Sequence, residues 1–277
     1  MTDLSEFVES FADRIAQRAT EFAEWIEESG AAGADRPDEF ETYVARMLTY
    51  YEPPRRVPDS ALFGELYAAV PGLDAYRADP PDAEDAGPLL RVLAAGLLAA
   101  EVESRGPLRL GTRQQNQLAE VYERCGAGFR AAGLPRLAVL ALRRAVSLYR
   151  AVEEFTGQDR SGLALERART AAETGRRRLI GRVADTLCGY GYQPFRLLAW
   201  VVVELVVFTV VGLLTFRGQD WQTTLYMSTT SFLNPMGPGD TATQGPFARP
   251  VLAVESWAGT VSMSVYFALL VRLWFRM

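Results

Sequence analysis

Two carboxylates stand alone in long apolar stretches. Glu204 is the single charge in residues 197–216 (LLAWVVVELVVFTVVGLLTF), and Glu255 is the single charge in residues 251–271 (VLAVESWAGTVSMSVYFALLV). On insertion scales a carboxylate at the centre of a membrane helix costs about 2.5–3.5 kcal/mol, so such a group is by default a functional one. Between the runs lies Asn234-Pro235-Met236-Gly237-Pro238-Gly239-Asp240, whose prolines and glycines stop a helix and force irregular backbone. Other chemistry falls away. The chain has no histidine, and all 29 basic residues are arginine. Histidine triads, histidine metal ligands, Schiff-base lysines and a P-loop lysine are therefore excluded. Cys125 and Cys188, the two cysteines, cannot form a four-ligand zinc site and are expected as free thiols. No metal and no cofactor is expected. No set of carboxylates and hydroxyls converges in the sequence, so an enzyme is not expected either.

The two runs must be placed by their own length and flanks. At about 1.5 Å per residue a 20-residue helix covers about 30 Å, the thickness of a bilayer core. Arg176, Arg177, Arg178, Arg182 and Arg196 precede the first run, and Arg272 and Arg276 follow the second. Cytoplasmic flanks carry the arginine excess, so both termini are expected in the cytoplasm of a multi-pass protein of the cell membrane. Residues 217–250 then face outward or re-enter the bilayer. Residues 1–10 are acidic, with no basic and apolar leader, so no signal peptide is expected. Net charge is −9 over residues 1–175, +4 over 176–196 and zero over 197–277. An acidic N-terminal region repels phosphate backbones, which excludes nucleic acid as a partner.

Residues 220–231 (DWQTTLYMSTTS) open with a capping aspartate and read as a helix too short and too polar to span. Irregular backbone at membrane depth is tolerated where protein or a water-filled cavity covers it. Helix, short re-entrant helix, Gly-rich loop, helix is the plan of a pore module. In that plan Glu255 lies near the outer end of its span, level with the short helix, where it accepts hydrogen bonds from Tyr226 or Thr230 and braces the loop. Glu204 lies near the inner end of the other span, out of reach of Glu255, and is expected to snorkel or to pack against the cytoplasmic part. Asp240, repeated around a fourfold pore, would form an anionic ring that attracts cations.

Over about a third of the chain, residues 185–277, these features resemble the two-transmembrane potassium-channel-like proteins of bacteria and archaea. Such channels follow the pore helix with Thr-x-Gly-Tyr-Gly-Asp, whose carbonyls replace the ion's hydration shell. The matching positions are Pro235, Met236, Gly237, Pro238, Gly239 and Asp240. The resemblance places Gly259 at the hinge glycine of the inner helix, and Phe247-Ala248-Arg249 looks like the start of that helix. Pro235 stands in place of the threonine of the innermost ion site, and Pro238 in place of the tyrosine that braces the filter. The resemblance therefore implies a homotetramer of channel architecture that passes monovalent cations with weak or no potassium selectivity, or does not conduct. Gly189-Tyr190-Gly191 carries the filter letters, yet no pore helix leads into it; it reads as an interfacial turn with Tyr190 and Tyr192 at the headgroups.

The N-terminal half reads as helical. Asp3-Leu4-Ser5-Glu6 is a capping-box signal, and Leu4, Val8, Phe11, Ile15, Phe22 and Trp25 follow at helical spacing up to Gly30. Helices are also expected over residues 38–51, stopped by Pro53 and Pro54, and over 61–70. Tyr122, Cys125, Gly126, Phe129, Ala138, Leu142 and Ala145 resemble one tetratricopeptide unit, with Pro135 opening its second helix; a 34-residue shift brings no second copy into register. Cys125 is then a small core residue.

The expected fold is all-α: an N-terminal helical region (1–73), an acidic linker (74–87), a tetratricopeptide-like region (88–180), an interfacial lead-in (181–196) and a two-span module (197–277). Two functions remain open. One is a tetrameric cation-permeable pore with a cytoplasmic helical sensor. The other is a non-conducting adaptor, anchored in the lipid bilayer, whose helical region binds a protein partner.

Overall fold

The computed structural model describes residues 2–54, 60–76, 83–215, 220–233 and 247–274. The chain divides into two compact units, Met1–Gly181 and Arg182–Met277, and is all-helical, with no strand among the described residues.

The first unit contains α1 (Thr2–Ala34), α2 (Pro37–Thr49), α3 (Gly64–Ala69), a 3-10 turn (Leu73–Tyr76), α4 (Ala83–Arg105), α5 (Thr112–Ala131), α6 (Pro135–Ala151) and α7 (Phe155–Ala172). Helix α1 carries the expected stripe: Phe11, Ile15 and Phe22 are buried, and Leu4, Val8 and Trp25 pack half-buried beside them. It breaks where expected, at Gly30, whose φ of 67° lies in the left-handed region that glycine enters without steric cost. Helix α4 is the centre of the unit. Leu93, Ala94, Leu97, Leu98 and Val102 are all but inaccessible, which is the pattern of a helix surrounded by others.

The start of α4 corrects the expected linker. Residues 83–87 are helical, and Pro88 lies inside the helix. A proline so near a helix start forfeits one backbone hydrogen bond, and the apolar turns that follow bury enough surface to hold the helix in place. Nor do residues 1–73 and 88–180 separate: one continuous core runs from α1 through α7. Helices α5 and α6 form the expected hairpin. All seven tetratricopeptide-like positions are buried, and a side chain at Gly126 would collide with Leu142. Helix α7 continues the zigzag against α6, with Gly157 under the Tyr149 ring.

The second unit contains the end of α8 (Gly175–Cys188), a 3-10 turn (Gly189–Gly191), α9 (Pro194–Thr215), α10 (Trp221–Leu233) and α11 (Ala248–Trp274). Two helical stretches, Pro194–Thr215 and Arg249–Val271, are long and apolar enough to cross a membrane. The Gly-Tyr-Gly letters form the tight turn before α9, with Tyr190 at a φ of 53°, and the Trp200 indole donates to the Thr186 carbonyl at 3.0 Å.

Candidate functional site

Helix α10 is built as its sequence suggests. The Trp221 N–H donates to the Asp220 carboxylate at 2.8 Å, and the Thr224 N–H donates to the Asp220 carbonyl at 3.0 Å, so Asp220 holds the cap position with its carboxylate on the first helical amide. Thr224, Ser228 and Ser231 recur at four- and three-residue spacing and are fully buried. Small hydroxyl residues on one stripe let helices approach closely and offer donors across the contact. Ser231 uses its donor: its hydroxyl gives a 3.0 Å hydrogen bond to the Leu252 carbonyl on α11.

Glu255 lies on the same side of α11, buried, and neither of its carboxylate oxygens finds a hydrogen-bond partner among the described residues. The buried Ser228 hydroxyl lies beside it. The expected braces are elsewhere. Tyr226 is 72% exposed, and the Thr230 hydroxyl donates to the Tyr226 carbonyl of its own helix at 2.7 Å. Their spacing puts them on the other face of α10, which a reading by residue type alone misses; the hydroxyl stripe at 224, 228 and 231 was the available signal. Pro235, Met236, Gly237, Pro238, Gly239 and Asp240 lie outside the described residues.

Gly259 sits on α11 one turn past Glu255. Its neighbour is the end of α10: a Cβ at Gly259 would fall on the Phe232 carbonyl oxygen. The helix carries no break there, so in this structure the glycine provides closeness rather than a bend. Glu204 finds its partner within the second unit. Its carboxylate accepts a 2.8 Å hydrogen bond from the Ser262 hydroxyl, which ties α9 to α11. Neither partner was named from the sequence, because nothing in the two runs fixes how their faces meet.

A second polar constellation lies inside the first unit, and every member of it is partnered. Glu101 accepts from Arg144 at 2.9 and 3.2 Å; Glu123 accepts from Arg160 and, at 3.1 Å, from the Tyr149 hydroxyl. Glu103 accepts from the Leu62 N–H at 2.9 Å and the Tyr67 hydroxyl at 2.8 Å. Burial pushes the Glu103 carboxyl above its ordinary range, against the pull of those two donors. Asp35 takes the backbone N–H groups of Arg136 and Leu137 at 2.8–2.9 Å and so caps α6, whose own cap residue, Leu134, has no acceptor. Cys125 is buried in the core, and burial pushes its thiol up to about 12, so it is no nucleophile. These groups hold helices together; they do not converge on a cleft.

No family model, curated protein or solved structure matches the chain, so its function has to be argued from these residues.

Proposed function

We propose that the chain is a subunit of an ion-channel-like integral membrane protein: a homotetramer whose second unit forms a cation-permeable pore with weak or no potassium selectivity, and whose first unit is a cytoplasmic sensor or interaction domain. The observation that carries this reading is α10. It is a 13-residue helix, about 20 Å long and too short to span, that is capped, packed by its hydroxyl face, and held with its end against Gly259 between two helices of span length. A short helix so held has a purpose if it aims the loop that follows. On this reading Glu255 anchors that loop from behind, four copies of Asp240 draw cations to the mouth, and the prolines at 235 and 238 leave a wider passage than a potassium filter. Both termini are cytoplasmic.

The apolar faces of α9 and α11 support lipid contact: Val202, Val206, Val210, Leu214, Val254, Val261 and Val265 are exposed on the chain. Purified protein in planar bilayers provides the test. Cation currents whose reversal potential barely separates potassium from sodium are expected, with lower conductance in Asp240→Asn. Strong potassium selectivity would refute the wide-pore reading, and a stable monomer by native mass spectrometry would refute the tetramer.

A second reading draws on Pro235 and Pro238, which remove a hydroxyl and an amide donor from a filter-like loop. It is a non-conducting anchor whose helical unit binds a protein partner. Silence from demonstrably tetrameric protein under varied voltage, pH and ligand would favour it.

A further inference from the structure

Helix α8 is an anomaly among the helices. It runs for 14 residues, Gly175–Cys188, without one buried residue. Leu179 and Ile180 are 63% and 68% exposed, and Val183 is 49% exposed. An isolated helix of this length is marginal in water, and its stability ordinarily comes from covering an apolar face. At 100° per residue Leu179, Ile180, Val183 and Leu187 fall on one arc, with Arg176 in line with it at the helix start, Arg177 and Arg182 at its two flanks, and Arg178 and Asp185 opposite. Within the first unit, α8 approaches α7 at Gly181, whose missing side chain admits Thr170.

Charge and chain continuity decide what covers the apolar arc. Arg176, Arg177, Arg178 and Arg182 make this the most basic stretch of the chain, preceded by a region of net charge −9. The contact of Arg177 with the Glu173 carboxylate is loose at 3.9 Å. Five residues after α8 ends, the first span begins. An apolar arc flanked by arginines, tethered that closely to a membrane helix, has the make-up of a helix lying in a bilayer interface that carries acidic headgroups.

We propose that α8 is a binding surface for anionic lipid: Leu179, Ile180 and Val183 bed at the boundary of headgroups and acyl chains, and Arg176, Arg177 and Arg182 contact lipid phosphates. The surface rests on the reading of α9 and α11 as membrane spans, and it is independent of whether the pore conducts.

The test uses the full chain with Cys188→Ser, in which the buried Cys125 stays unlabelled, and an environment-sensitive fluorophore on Ile180→Cys or, as the opposite-face control, on Asp185→Cys. The protein is reconstituted into phosphatidylcholine vesicles, with or without about 30 mol% phosphatidylglycerol. Nitroxide lipids labelled near the headgroup are expected to quench the label at position 180 but not that at 185, and more strongly when phosphatidylglycerol is present. Replacing Arg176, Arg177 and Arg182 with glutamine should weaken that dependence about fivefold or more. A label at 180 that stays open to aqueous iodide in both vesicles would overturn the proposal. So would one shielded from both quenchers and cross-linked to another copy. Alkaline carbonate extraction separates the two levels. Protein that washes off the vesicles sinks the membrane reading itself, whereas resistant protein with a water-exposed label at 180 sinks the role of α8 alone.

Discussion

The two units treat buried carboxylates in opposite ways. In the first, Asp35, Glu101, Glu103 and Glu123 each meet donors from another element. In the second, Glu255 is equally buried with the Ser228 hydroxyl beside it, and neither group makes a hydrogen bond of ordinary geometry among the described residues. A buried polar group without a partner costs about 1–3 kcal/mol, and more if charged. The buried carboxylates of the first unit therefore serve its own packing. The second holds a group that its described helices do not satisfy, and unsatisfied groups are where function is sought.

Glycine substitutions probe that contrast most strongly. At Gly259 a new side chain meets the backbone of α10, which cannot turn aside; Gly259→Val should cost about 3 kcal/mol and break up the packed hairpin. At Gly126 the obstacle is the Leu142 side chain, which can change rotamer, so Gly126→Ala should cost about 1 kcal/mol. Thermal unfolding of the detergent-solubilised protein compares the two, and an equal or reversed order would remove the distinction between a backbone contact and a side-chain contact.

Glu255 sharpens the comparison next. If it anchors the loop, Glu255→Leu should destabilise the assembly by about 2 kcal/mol while Glu255→Gln is milder. If it is an orphan, leucine should stabilise instead. In the first unit, Asp35→Ala removes the acceptor shared by two amides and should cost about 1–2 kcal/mol. A cost within error would show that Asp35 is no working cap.

The smallest effect is one of pH. The Glu103 carboxyl is raised in the folded chain above its ordinary 4.5, chiefly by burial, so the folded state holds its proton longer than the unfolded state does. Its contribution is full below about pH 4.5 and declines as pH rises through the folded value. Denaturant titrations between pH 4 and 8 should therefore show a fall in stability that Glu103→Gln flattens. An unchanged slope would place the pH dependence elsewhere.

Much of this framework was legible in the sequence. The stripe of α1, its break at Gly30, the α5–α6 hairpin and the two apolar runs all follow from periodicity, special backbone and length, which are properties of neighbours along the chain. The start of α4 is not legible, because Pro88 and the acidic residues before it read as a linker, whereas the packing of the later turns of the helix decides its fate. The candidate site was half legible. Glu204, Glu255 and Gly259 stand out by type, but their neighbours Ser262, Ser228 and Phe232 depend on how helix faces meet across a contact. That information is long-range, and a hydroxyl at 230 looks no different from one at 228 until the helix is turned.

The Asp35 cap has a consequence in time. Its partner amide at Arg136 lies 101 residues further along the chain. During synthesis at about 5–20 residues per second, the carboxylate waits about 5–20 s before α6 exists to be capped. Until α4, which ends at Arg105, has been made, α1 and α2 have neither this cap nor a core to close upon, so their apolar stripes need shelter from other chains. Once α6 and α7 have been made, the unit can close before residues 197–216 are complete, and a folded body then precedes the first apolar run.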